Sequence, residues 1–377
     1  MKDYESDERT GCRMAKHPAE EAVILIPSLE PDGRLPAYIR SLKESGFGRI
    51  IVVDDGSSGK CAPIFAEVEA VPDTVVLHHD VNHGKGVALK TGYRYILDHF
   101  PDVSGVITAD SDGQHTVKDC LRLAEMLGEG KRAVYLGSRD FSLDFIPPKS
   151  RTGNRITSTV FKILYGQYLP DTQTGLRAFR RAELPFMLEV KGERYEYEMN
   201  VLIACARAKI PMVPVTIETI YENNNEGTHF HPIRDSWRIY KVLLGSFFKF
   251  MGSSLICVLI DQGIFNLLNL AAFHNGEAKD ASVILLCTVI ARVVSSVVNF
   301  TLNRNLVFGK NGKAGKAFLR YVILCAGIML LSAGGTWLLS RTGMSSTVAK
   351  LITDTLLYFV SYRAQEMWVF KGEDAHE

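Results

Sequence analysis

The chain has 377 residues and an almost balanced charge, with 43 lysines and arginines against 42 aspartates and glutamates. A formal net charge of +1 argues against a general nucleic-acid-binding protein, so we expect no nucleic-acid partner. The length predicts about two or three domains. Residues 1–245 are charged and typical of a soluble region, whereas residues 246–370 contain long apolar runs separated by basic loops. The second region is therefore expected to lie in a membrane.

The cysteines and the chain ends indicate a reducing, cytoplasmic setting. The seven cysteines form no Cys-x-x-Cys pair and their number is odd, so we expect reduced thiols and neither disulfides nor zinc ligands. Residues 1–21 are polar and lack the apolar core of a secretory signal, which predicts a disordered cytoplasmic tail. Residues 371–377 are expected to form a second cytoplasmic tail.

Short apolar, β-branched runs alternate with helical stretches from Ala22 onward. The expected strands are 22–27, 49–54, 74–78, 105–110, 133–137 and, last, 214–221. Apolar strands separated by helices predict a parallel sheet that is covered by helices on both faces. In such sheets, ligands bind beyond the carboxyl ends of the strands.

Polar residues collect where three of these strands end. The first strand is followed by Pro-Ser-Leu-Glu at 27–30, the second by Asp-Asp-Gly-Ser-Ser at 54–58, and the fourth by Asp-Ser-Asp-Gly-Gln-His at 110–115. One such cluster is more often turn or helix-cap chemistry. Three clusters at successive strand ends favour a ligand site on one edge of the sheet.

The pair Asp110 and Asp112 indicates a metal site. Two carboxylates two residues apart on a turn can share one hard divalent cation, and Mg²⁺ or Mn²⁺ suits such oxygen ligands. Gln114 can add a neutral oxygen, which leaves the cation enough charge to stabilise a departing nucleoside diphosphate. Asp54 or Asp55 can accept a hydrogen bond from an N–H of uracil or guanine.

The motifs in this order resemble the family 2 inverting glycosyltransferases with the GT-A fold. The matching segments are I-P, V-V-D-D-G-S-S, N-x-G-K-G-x-A-L-K-x-G, A-D-S-D-G-Q-H and G-S-R, and they cover about Ala22 to Tyr240. The subgroup that they resemble most is the polyprenyl-phosphate sugar synthases, which include the dolichol-phosphate mannose and glucose synthases. The resemblance implies an α/β fold over residues 22–231, with a Rossmann-like, mostly parallel sheet and helices on both faces.

The resemblance also implies roles for the residues at the strand ends. The donor-binding residues would be Pro27, Glu30, Asp54, Asp55, Lys85 and Asp110, and the metal ligands would be Asp110, Asp112 and Gln114. The position of Glu30 departs from the family pattern, because the usual Asn-Glu is here Leu29-Glu30-Pro31.

Polar and basic residues further along the chain predict a site for an acceptor phosphate. They are Ser138, Arg139, Arg151, Asn154 and Arg155. Arginines at such positions can clamp a phosphate, although Arg155 can equally belong to a basic helix face that lies on anionic lipid headgroups. Residues 171–177, with the sequence DTQTGLR, resemble the family's D-x-x-x-G-F/L-R segment.

The expected acceptor decides which residues are assigned to catalysis. A lipid monophosphate has a second pKa near ~6 and arrives anionic, so it needs cations more than a general base. Asp171 and Gln173 are therefore interpreted as orienting groups. The full catalytic set is Asp112, Arg139, Arg151, Asp171 and Gln173. No Q-x-x-R-W run occurs, which argues against a processive polysaccharide synthase and favours transfer of one sugar per turnover.

The second region is expected to lie on and in the membrane. Residues 232–250 combine basic side chains with aromatic and aliphatic ones, which predicts an interfacial amphipathic helix. Apolar runs follow at about 251–273, 282–300, 318–339 and 347–370. Each is close to the ~20 residues that a bilayer span needs, so residues 251–370 are expected to form an all-α bundle of four transmembrane helices. Basic residues concentrate between the second and third runs, which places both chain ends and the catalytic domain in the cytoplasm.

Ionisable residues inside the apolar runs indicate a polar feature at membrane depth. Asp261, Arg292 and Asp354 are such residues, and groups of this kind normally have partners or line a polar path. We predict that Asp261 pairs with Arg292, and a structural ion pair and a path for lipid phosphate are equally open.

Three motifs of the second region resemble the GtrA-like four-helix membrane family. They are F-x-F-M-G-S-S-x-x-x-x-x-x-D, N-F-x-L-N-R-N-x-V-F and S-Y-R-x-Q-E-x-W-V-F, and they cover about Phe247 to Lys371. Members of this family are associated with moving polyprenyl-phosphate-linked sugars across membranes, or with helping to move them.

Together, these features predict a multi-pass enzyme of the plasma membrane. It would move a hexose, with inversion, from a nucleotide sugar to polyprenyl (undecaprenyl) phosphate for envelope glycosylation, and UDP-hexose is favoured over GDP-hexose as the donor. The membrane domain would bind or translocate the lipid-linked sugar. The alternative is a glycolipid flippase or a membrane-anchored scaffold in which the transferase half is accessory. The identity of the sugar and homo-oligomer formation stay open.

Overall fold

The computed structural model describes residues 18–143, 146–218, 232–274, 281–308 and 313–370. The chain divides into two compact units. The first unit comprises the described residues of Met1–Thr159 and Gln167–Ile239, and the second comprises those of Val160–Gly166 and Tyr240–Glu377. The predicted tails at 1–17 and 371–377, and residues 219–221 of the last predicted strand, lie outside the described residues.

The first unit is built on one sheet of seven strands. The strands are β1 (Ala22–Ser28), β2 (Arg49–Asp54), β3 (Thr74–His78), β4 (Gly105–Thr108), β5 (Val134–Ser138), β6 (Arg177–Arg180) and β7 (Met212–Thr216). Their order across the sheet is β3-β2-β1-β4-β6-β5-β7. All pairs are parallel except those of β6, which runs antiparallel to both β4 and β5. The α/β fold with a mostly parallel sheet is thus confirmed.

The helices of the first unit connect these strands. They are α1 (Pro18–Glu21), α2 (Arg34–Glu44), α3 (Ala62–Glu69), α4 (Lys85–His99), α5 (Val117–Gly128), α6 (Pro148–Tyr165), α7 (Leu184–Glu189) and α8 (Glu196–Arg207). The last turn of α6 belongs to the second unit. Helix α1 falls within the segment that was predicted to be disordered, and it is ordered because Ala19 packs into the core.

The core of the first unit lies between the sheet and its covering helices. All seven residues of β1 are buried, which is the pattern of a central strand with both faces covered. In α2, Leu35, Ile39 and Leu42 recur at helical spacing and pack into the same core cluster as Ile24. Each such side chain contributes about 1.5–3 kcal/mol when it is fully buried.

The strand order fixes where a ligand can bind. Strand β1 pairs with β2 on one side and with β4 on the other, so the chain direction of successive connections reverses beside β1. In sheets of this kind, a crevice opens beyond the carboxyl ends of the strands at the reversal point. Residues that follow β1, β2 and β4 therefore meet at one edge of the sheet.

The second unit consists of long helices. They are α9 (Pro232–His274), α10 (Ala281–Leu302), α11 (Ala314–Ser340) and α12 (Ser346–Ala364), and π-helical turns at Asn303–Val307 and Gln365–Val369 follow α10 and α12. The predicted interfacial helix and the first predicted span form one continuous helix, α9. Within the part of the chain that the structure describes, three segments are long and apolar enough to cross a membrane: Trp237–Ala271, Ser282–Val307 and Ala314–Ser340. The fourth predicted span corresponds to α12, which is not among them.

The structure places the predicted membrane ion pair between α9 and α10. Arg292 Nη2 lies 3.4 Å from Asp261 Oδ2, and the Ser295 hydroxyl donates to Asp261 Oδ1 at 3.1 Å. Asp261 is 8% exposed. The carboxylate is therefore enclosed and has partners for both of its oxygens.

Candidate active site

The end of β2 carries two aspartates that are held from several sides. Asp54 Oδ1 accepts the backbone N–H of Ser57 at 2.9 Å, and Asp54 Oδ2 lies 2.9 Å from His78 Nδ1. Asp55 Oδ2 accepts the backbone N–H of Gly84 at 2.7 Å, and Asp55 Oδ1 lies 2.8 Å from His79 Nδ1. Both carboxylates are thus fixed at the edge where the nucleoside was predicted to bind.

The two histidines at the end of β3 complete this part of the edge. The Asp54 carboxylate, which accepts a hydrogen bond from His78, raises the pKa of His78 above its ordinary value, while partial burial opposes the shift and Glu69 adds to it. His79 Nε2 also lies 3.0 Å from the Thr91 hydroxyl. Sequence reasoning missed both residues, although they follow a predicted strand, as the assigned aspartates do.

The loop after β1 is braced against the loop after β2. The Glu30 carboxylate accepts the backbone N–H of Ser58 at 2.5 Å and the Ser58 hydroxyl at 2.9 Å, while the Glu30 N–H donates to Ser57 Oγ at 2.9 Å. Glu30 has a φ of 48°, a left-handed conformation that non-glycine residues seldom adopt. The structure therefore places Glu30 as a link between the two loops.

Pro27 lies near the end of β1, opposite Val53 of β2. The register of β1 with β4 ends at Leu25, opposite Thr108. Pro27 therefore stands beyond the β4 pairing, where its missing N–H removes no ladder hydrogen bond. This explains how a proline fits at the buried edge of a central strand.

The loop after β4 brings Asp110 between two basic side chains. Lys85 Nζ lies 2.7 Å from Asp110 Oδ1, and His115 Nε2 lies 3.1 Å from Asp110 Oδ2. Lys85, the first residue of α4, also lies 3.1 Å from Glu198 Oε1 on α8. The cluster therefore connects the loop after β4 with helices α4 and α8 at the sheet edge.

The charges of the cluster fix its protonation state. Enclosure by the protein disfavours the charged form of Asp110, but the Lys85 ammonium and the His115 ring outweigh that effect and hold the pKa of Asp110 far below its ordinary value. Enclosure likewise disfavours the charged form of Lys85, and the carboxylates of Asp110 and Glu198 reverse the effect and raise the Lys85 pKa. Both groups are therefore ionised at neutral pH.

Asp112 has a different environment from Asp110. Its Oδ1 accepts the backbone N–H of Gln114 at 3.0 Å. Burial and the nearby charge of Asp110 raise the pKa of Asp112 above its ordinary value. The two carboxylates thus repel one another, and a cation between them would relieve that repulsion.

The oxygens of this loop suit a divalent metal ion whose remaining ligands come from a substrate. Within the described residues, no three acidic, histidine or cysteine side chains converge as a metal-binding group. Mg²⁺ commonly takes one or two protein carboxylates together with phosphate oxygens. Asp110 and Asp112, with the neutral oxygen of Gln114, fit that pattern.

A glycine in the segment 171–177 packs against Asp110. A Cβ atom at Gly175 would lie 2.3 Å from Asp110 Oδ2, so the position admits no side chain without movement of the carboxylate. The Thr108 hydroxyl donates to the Gly175 carbonyl at 2.8 Å and fixes the approach. The segment that carries the predicted orienting groups Asp171 and Gln173 therefore lies beside the loop that was predicted to bind metal.

Arg139 and Asp171 form a two-pronged ion pair. Arg139 Nε lies 2.7 Å from Asp171 Oδ2, and Arg139 Nη2 lies 3.2 Å from Asp171 Oδ1. Asp171 is 1% exposed, and its Oδ1 also accepts the backbone N–H of Gln173 at 2.9 Å. Asp171 therefore orients Arg139 and the backbone of its own loop.

The other predicted acceptor residues lie in different settings. Asn154 is buried, donates to the Pro170 carbonyl and accepts the Thr172 N–H at 3.3 Å, so it braces the loop before Gln173. Arg151 donates to the Leu143 carbonyl at 2.8 Å, Ser138 is buried at the end of β5, and Arg155 is exposed on α6.

Two residues of the Asp110 cluster were not assigned a role from the sequence. His115 closes the D-S-D-G-Q-H motif, and Glu198 lies in the first turn of α8. The contact between Glu198 and Lys85 joins α8 to α4, and no local pattern reveals it. The available signal was that Glu198 is an acidic residue at the start of a helix in the same unit.

The geometry defines an α/β protein with an acidic binding edge and a second unit of apolar helices. The sequence profile of Glycosyl transferase family 2 matches residues 23–184, and that of the GtrA/DPMS transmembrane domain matches residues 249–370. An uncharacterised protein of Methanocaldococcus jannaschii is 30% identical over 61% of this chain and 93% of that protein. The chain therefore belongs to glycosyl transferase family 2 and is a membrane glycosyltransferase.

Two further relatives have named activities. The UDP-N-acetylglucosamine–dolichyl-phosphate N-acetylglucosaminyltransferase of Methanococcus voltae is 27% identical over 52% of this chain and 85% of that enzyme. The undecaprenyl-phosphate mannosyltransferase of Micrococcus luteus is 27% identical over 51% of this chain and 81% of that enzyme. Among solved structures, glucosyl-3-phosphoglycerate synthase of Mycobacterium tuberculosis, in complex with Mn²⁺ and UDP, aligns with a TM-score of 0.46 and 15% identity over 61% of this chain and 81% of that one.

Proposed function

We propose that the protein is a metal-dependent, inverting hexosyltransferase whose acceptor is a polyprenyl phosphate, with undecaprenyl phosphate as the expected lipid. The observation that carries the proposal is the loop after β4, where an ionised Asp110 stands beside Asp112 at the ligand-binding edge of the sheet. The names of the dolichyl- and undecaprenyl-phosphate transferases among the relatives support the acceptor class. A supply of lipid-linked sugar for envelope glycosylation follows from that chemistry.

The donor site is proposed at the ends of β1, β2 and β4. A carboxylate oxygen can accept more than one hydrogen bond, so Asp54 and Asp55 retain capacity for an N–H of the base after binding their own loops. Uracil offers one such N–H, and the Methanococcus voltae relative is named for a UDP-sugar. UDP-hexose is therefore proposed over GDP-hexose.

The metal site is proposed at Asp110, Asp112 and Gln114, with Mg²⁺ or Mn²⁺ as the ion. When bound, the ion would neutralise charge on the departing nucleoside diphosphate. Lys85 and His115 keep Asp110 ionised and oriented before any ligand enters. Burial and the nearby charge of Asp110 raise the pKa of Asp112, and a bound cation would favour its ionised form.

The acceptor side is proposed to act through cations. The Asp171 carboxylate holds the Arg139 fork in one orientation, which prepares the guanidinium for a phosphate without a rearrangement. Arg151 and Arg155 would add positive charge on α6, and Ser138, Asn154 and Gln173 would shape the adjoining loops. A lipid phosphate that is already anionic then attacks the sugar carbon while the nucleoside diphosphate leaves from the opposite face, which inverts the configuration.

The domain organisation is proposed as predicted from the sequence. Residues 22–231 would form the catalytic domain, 232–250 the interfacial segment at the start of α9, and 251–370 a four-span membrane domain that binds or translocates the product. The basic residues between α10 and α11 place both chain ends in the cytoplasm by the positive-inside rule. Plasma-membrane localisation and homo-oligomer formation belong to the same proposal.

The direct test is an activity screen with the purified full-length chain. Radiolabelled UDP- and GDP-hexoses are supplied one at a time with undecaprenyl phosphate, in Mn²⁺, in Mg²⁺ and in EDTA. We expect a lipid-extractable labelled product from a UDP-hexose, lost in EDTA and restored by metal. Absence of such a product from every donor, or full product formation in EDTA, would overturn the proposal.

The alternative function, a flippase or scaffold with an accessory transferase half, makes a different prediction. In sealed vesicles it requires that pre-formed glycolipid crosses the membrane even when nucleotide sugar is absent. Transport without synthesis would favour the alternative over the proposed enzyme.

A further inference from the structure

The second unit contains two helix hairpins that end in the same way. Helices α10 and α12 each continue into a π-helical turn, and each turn closes with a hydrogen bond of 2.9 Å, from the N–H of Phe308 to the Asn303 carbonyl and from that of Phe370 to the Gln365 carbonyl. The Asn303 amide donates to Gln365 Oε1 at 3.0 Å, and the two phenylalanine rings stack at 5.3 Å. The hairpins α9–α10 and α11–α12 can therefore be aligned by matching the turn that begins at Asn303 with the turn that begins at Gln365.

In that alignment, equivalent positions carry charged residues with different surroundings. Arg292 precedes Asn303 by the same number of residues as Asp354 precedes Gln365. In the first hairpin, the polar partner of Arg292 is Asp261, whose side chain is 11% exposed. In the second hairpin, Asp354 bonds to the Ser332 hydroxyl of α11 and to Lys350, and 46% of its side chain is exposed. The Asp261 carboxylate is enclosed although the Arg292 side chain is 70% exposed, whereas both charged side chains of the second site are open to their surroundings.

The open site lies in a groove of about 780 Å³ along α11 and α12. Its lining combines hydroxyls, one cation, one carboxylate and apolar surface: Thr336, Ser346, Thr347, Lys350, Leu351, Asp354, Thr355 and Tyr358. The Lys350 side chain is 60% exposed, and its ammonium lies 2.9 Å from Asp354 Oδ2 and 3.3 Å from Ser332 Oγ. Thr336 Oγ1 is buried and has no hydrogen-bond partner within the described part of the chain.

The groove has the chemistry of a site for a charged, hydroxylated headgroup. A lysine and an aspartate within an apolar helix pair each cost about 2.5–3.5 kcal/mol against hydrocarbon, so such groups normally face a ligand or a polar path. The ammonium of Lys350 matches a phosphate, whereas Asp354 and the threonine hydroxyls match sugar hydroxyls. The Asp354 carboxylate already accepts from the Ser332 hydroxyl and the Lys350 ammonium, and its remaining lone pairs can accept sugar hydroxyls.

We infer that this groove binds the glycosyl-phosphate headgroup of an isoprenoid lipid, with Lys350 on the phosphate and Asp354 on the sugar. The identity of the lipid rests on the proposed function, and the site itself rests on the geometry of α11 and α12. The groove is at the Ser340–Ser346 end of the hairpin, where α11 ends and α12 begins, away from the basic residues that precede α11. By the proposed orientation this is the non-cytoplasmic side, so the groove would hold the product after it leaves the cytoplasmic face.

The test uses the full chain in phosphatidylcholine vesicles and a photoactivatable short-chain alkyl glucosyl phosphate. Labelled peptides are mapped by mass spectrometry. We expect label on residues 336–358, reduced about tenfold by Lys350→Gln and retained in Lys350→Arg, since about 1.4 kcal/mol of charge pairing corresponds to that factor. Asp354→Asn should weaken competition by alkyl glucosyl phosphate and leave competition by plain alkyl phosphate unchanged. Arg341→Gln is the matched control, because Arg341 packs over Trp337 at the same end of α11 and does not line the groove.

The outcomes separate this inference from the proposed function. Label on 336–358 that depends on Lys350 supports the groove even if the chain makes no lipid-linked sugar from any donor. Synthesis that proceeds while Lys350→Gln and Asp354→Asn leave the label unchanged overturns the groove. Equal competition by phosphatidylglycerol or phosphatidylethanolamine, or by plain alkyl phosphate in the wild-type chain, overturns it as well, because the site would then recognise a lipid phosphate without the sugar.

Discussion

The proposed donor edge and the proposed acceptor side of the first unit use polar residues in opposite ways. At the donor edge, Asp54, Asp55 and Asp110 each receive N–H groups or basic side chains that hold the carboxylate at the mouth of the sheet. On the acceptor side, Asp171 and Asn154 are buried and bind their own loops. The comparison teaches that carboxylates at strand ends lie at the mouth of the sheet, where a ligand is proposed to bind, whereas a carboxylate within a loop can orient a neighbouring cation.

The largest effect is expected from Asp110→Asn, which removes the charge between Lys85 and His115. Fully buried pairs lose about 3–5 kcal/mol when one partner is removed, and we expect about 2 kcal/mol here because 32% of the Asp110 side chain is exposed. Transfer activity should fall about 10³-fold, because the proposed metal ion, which would hold the donor diphosphate, loses a ligand. Chemical denaturation and kcat/KM measure the two effects.

The matched control for that variant is Asp102→Asn, which breaks a surface pair with Arg49. Exposed pairs contribute about 0–1 kcal/mol, so stability and activity should change little. Equal losses from both substitutions would show that the donor edge is held no more firmly than the surface.

A second prediction concerns the contact that joins the two sides. Gly175→Ala would place a Cβ atom against the Asp110 carboxylate and displace it. A displacement of about 1 Å at a catalytic site can lower the rate about 10²-fold, and we expect a loss of that order in kcat. Gly153→Ala is the control, because a Cβ atom there meets no neighbour within 4 Å. A Gly175→Ala enzyme with normal kcat would disprove the coupling between the two sides.

The acceptor side is tested by Arg139→Lys, which keeps the charge and loses the fork that pairs with Asp171. We expect KM for the lipid phosphate to rise about tenfold and KM for the nucleotide sugar to stay unchanged, because only the acceptor cation is misplaced. Arg132→Lys, at the Glu183 pair, serves as the control. A rise in the KM for the nucleotide sugar instead would indicate that Arg139 acts on the donor and not on the acceptor.

The smallest expected effect is a pH dependence of stability at His78. Its pKa is raised in the folded chain by the hydrogen-bonded Asp54 carboxylate, so its stabilising contribution is complete below the unfolded-state pKa of about 6.5 and is lost as pH rises through the folded pKa. The Tm difference between wild type and His78→Gln should therefore be larger at pH 6 than at pH 8.5. In an Asp54→Asn background the pH dependence should become much smaller, and an unchanged dependence would assign it to another group.

The positions of the strands were predictable because β1, β2 and β3 are continuous apolar runs that end in turn residues. Strand β6 was missed, since Arg177–Arg180 is four residues long and begins and ends with arginine. Arg177 is nonetheless buried, because its guanidinium donates to the carbonyls of Thr174 and Glu198. A strand held by such distant partners leaves no periodic pattern in the sequence.

The site residues were predictable to the extent that their chemistry is local. The pair Asp110 and Asp112 follows from spacing alone, whereas the contact of Lys85 with Glu198 depends on the packing of α4 against α8. The acceptor side shows the same limit. In the sequence, an asparagine that braces a loop, such as Asn154, looks identical to an asparagine that binds a ligand. Only the three-dimensional arrangement separates the two.

The central claim is that the carboxylates after β4 hold a divalent cation together with a nucleotide. Calorimetric titration of UDP into the full-length chain, with and without Mn²⁺, tests it most directly in wild type, Asp112→Ala and the exposed control Asp98→Ala. The account predicts that Mn²⁺ tightens UDP binding at least about tenfold, or ~1.4 kcal/mol, in wild type and Asp98→Ala and has no such effect in Asp112→Ala. A metal-induced gain that survives in Asp112→Ala would contradict it.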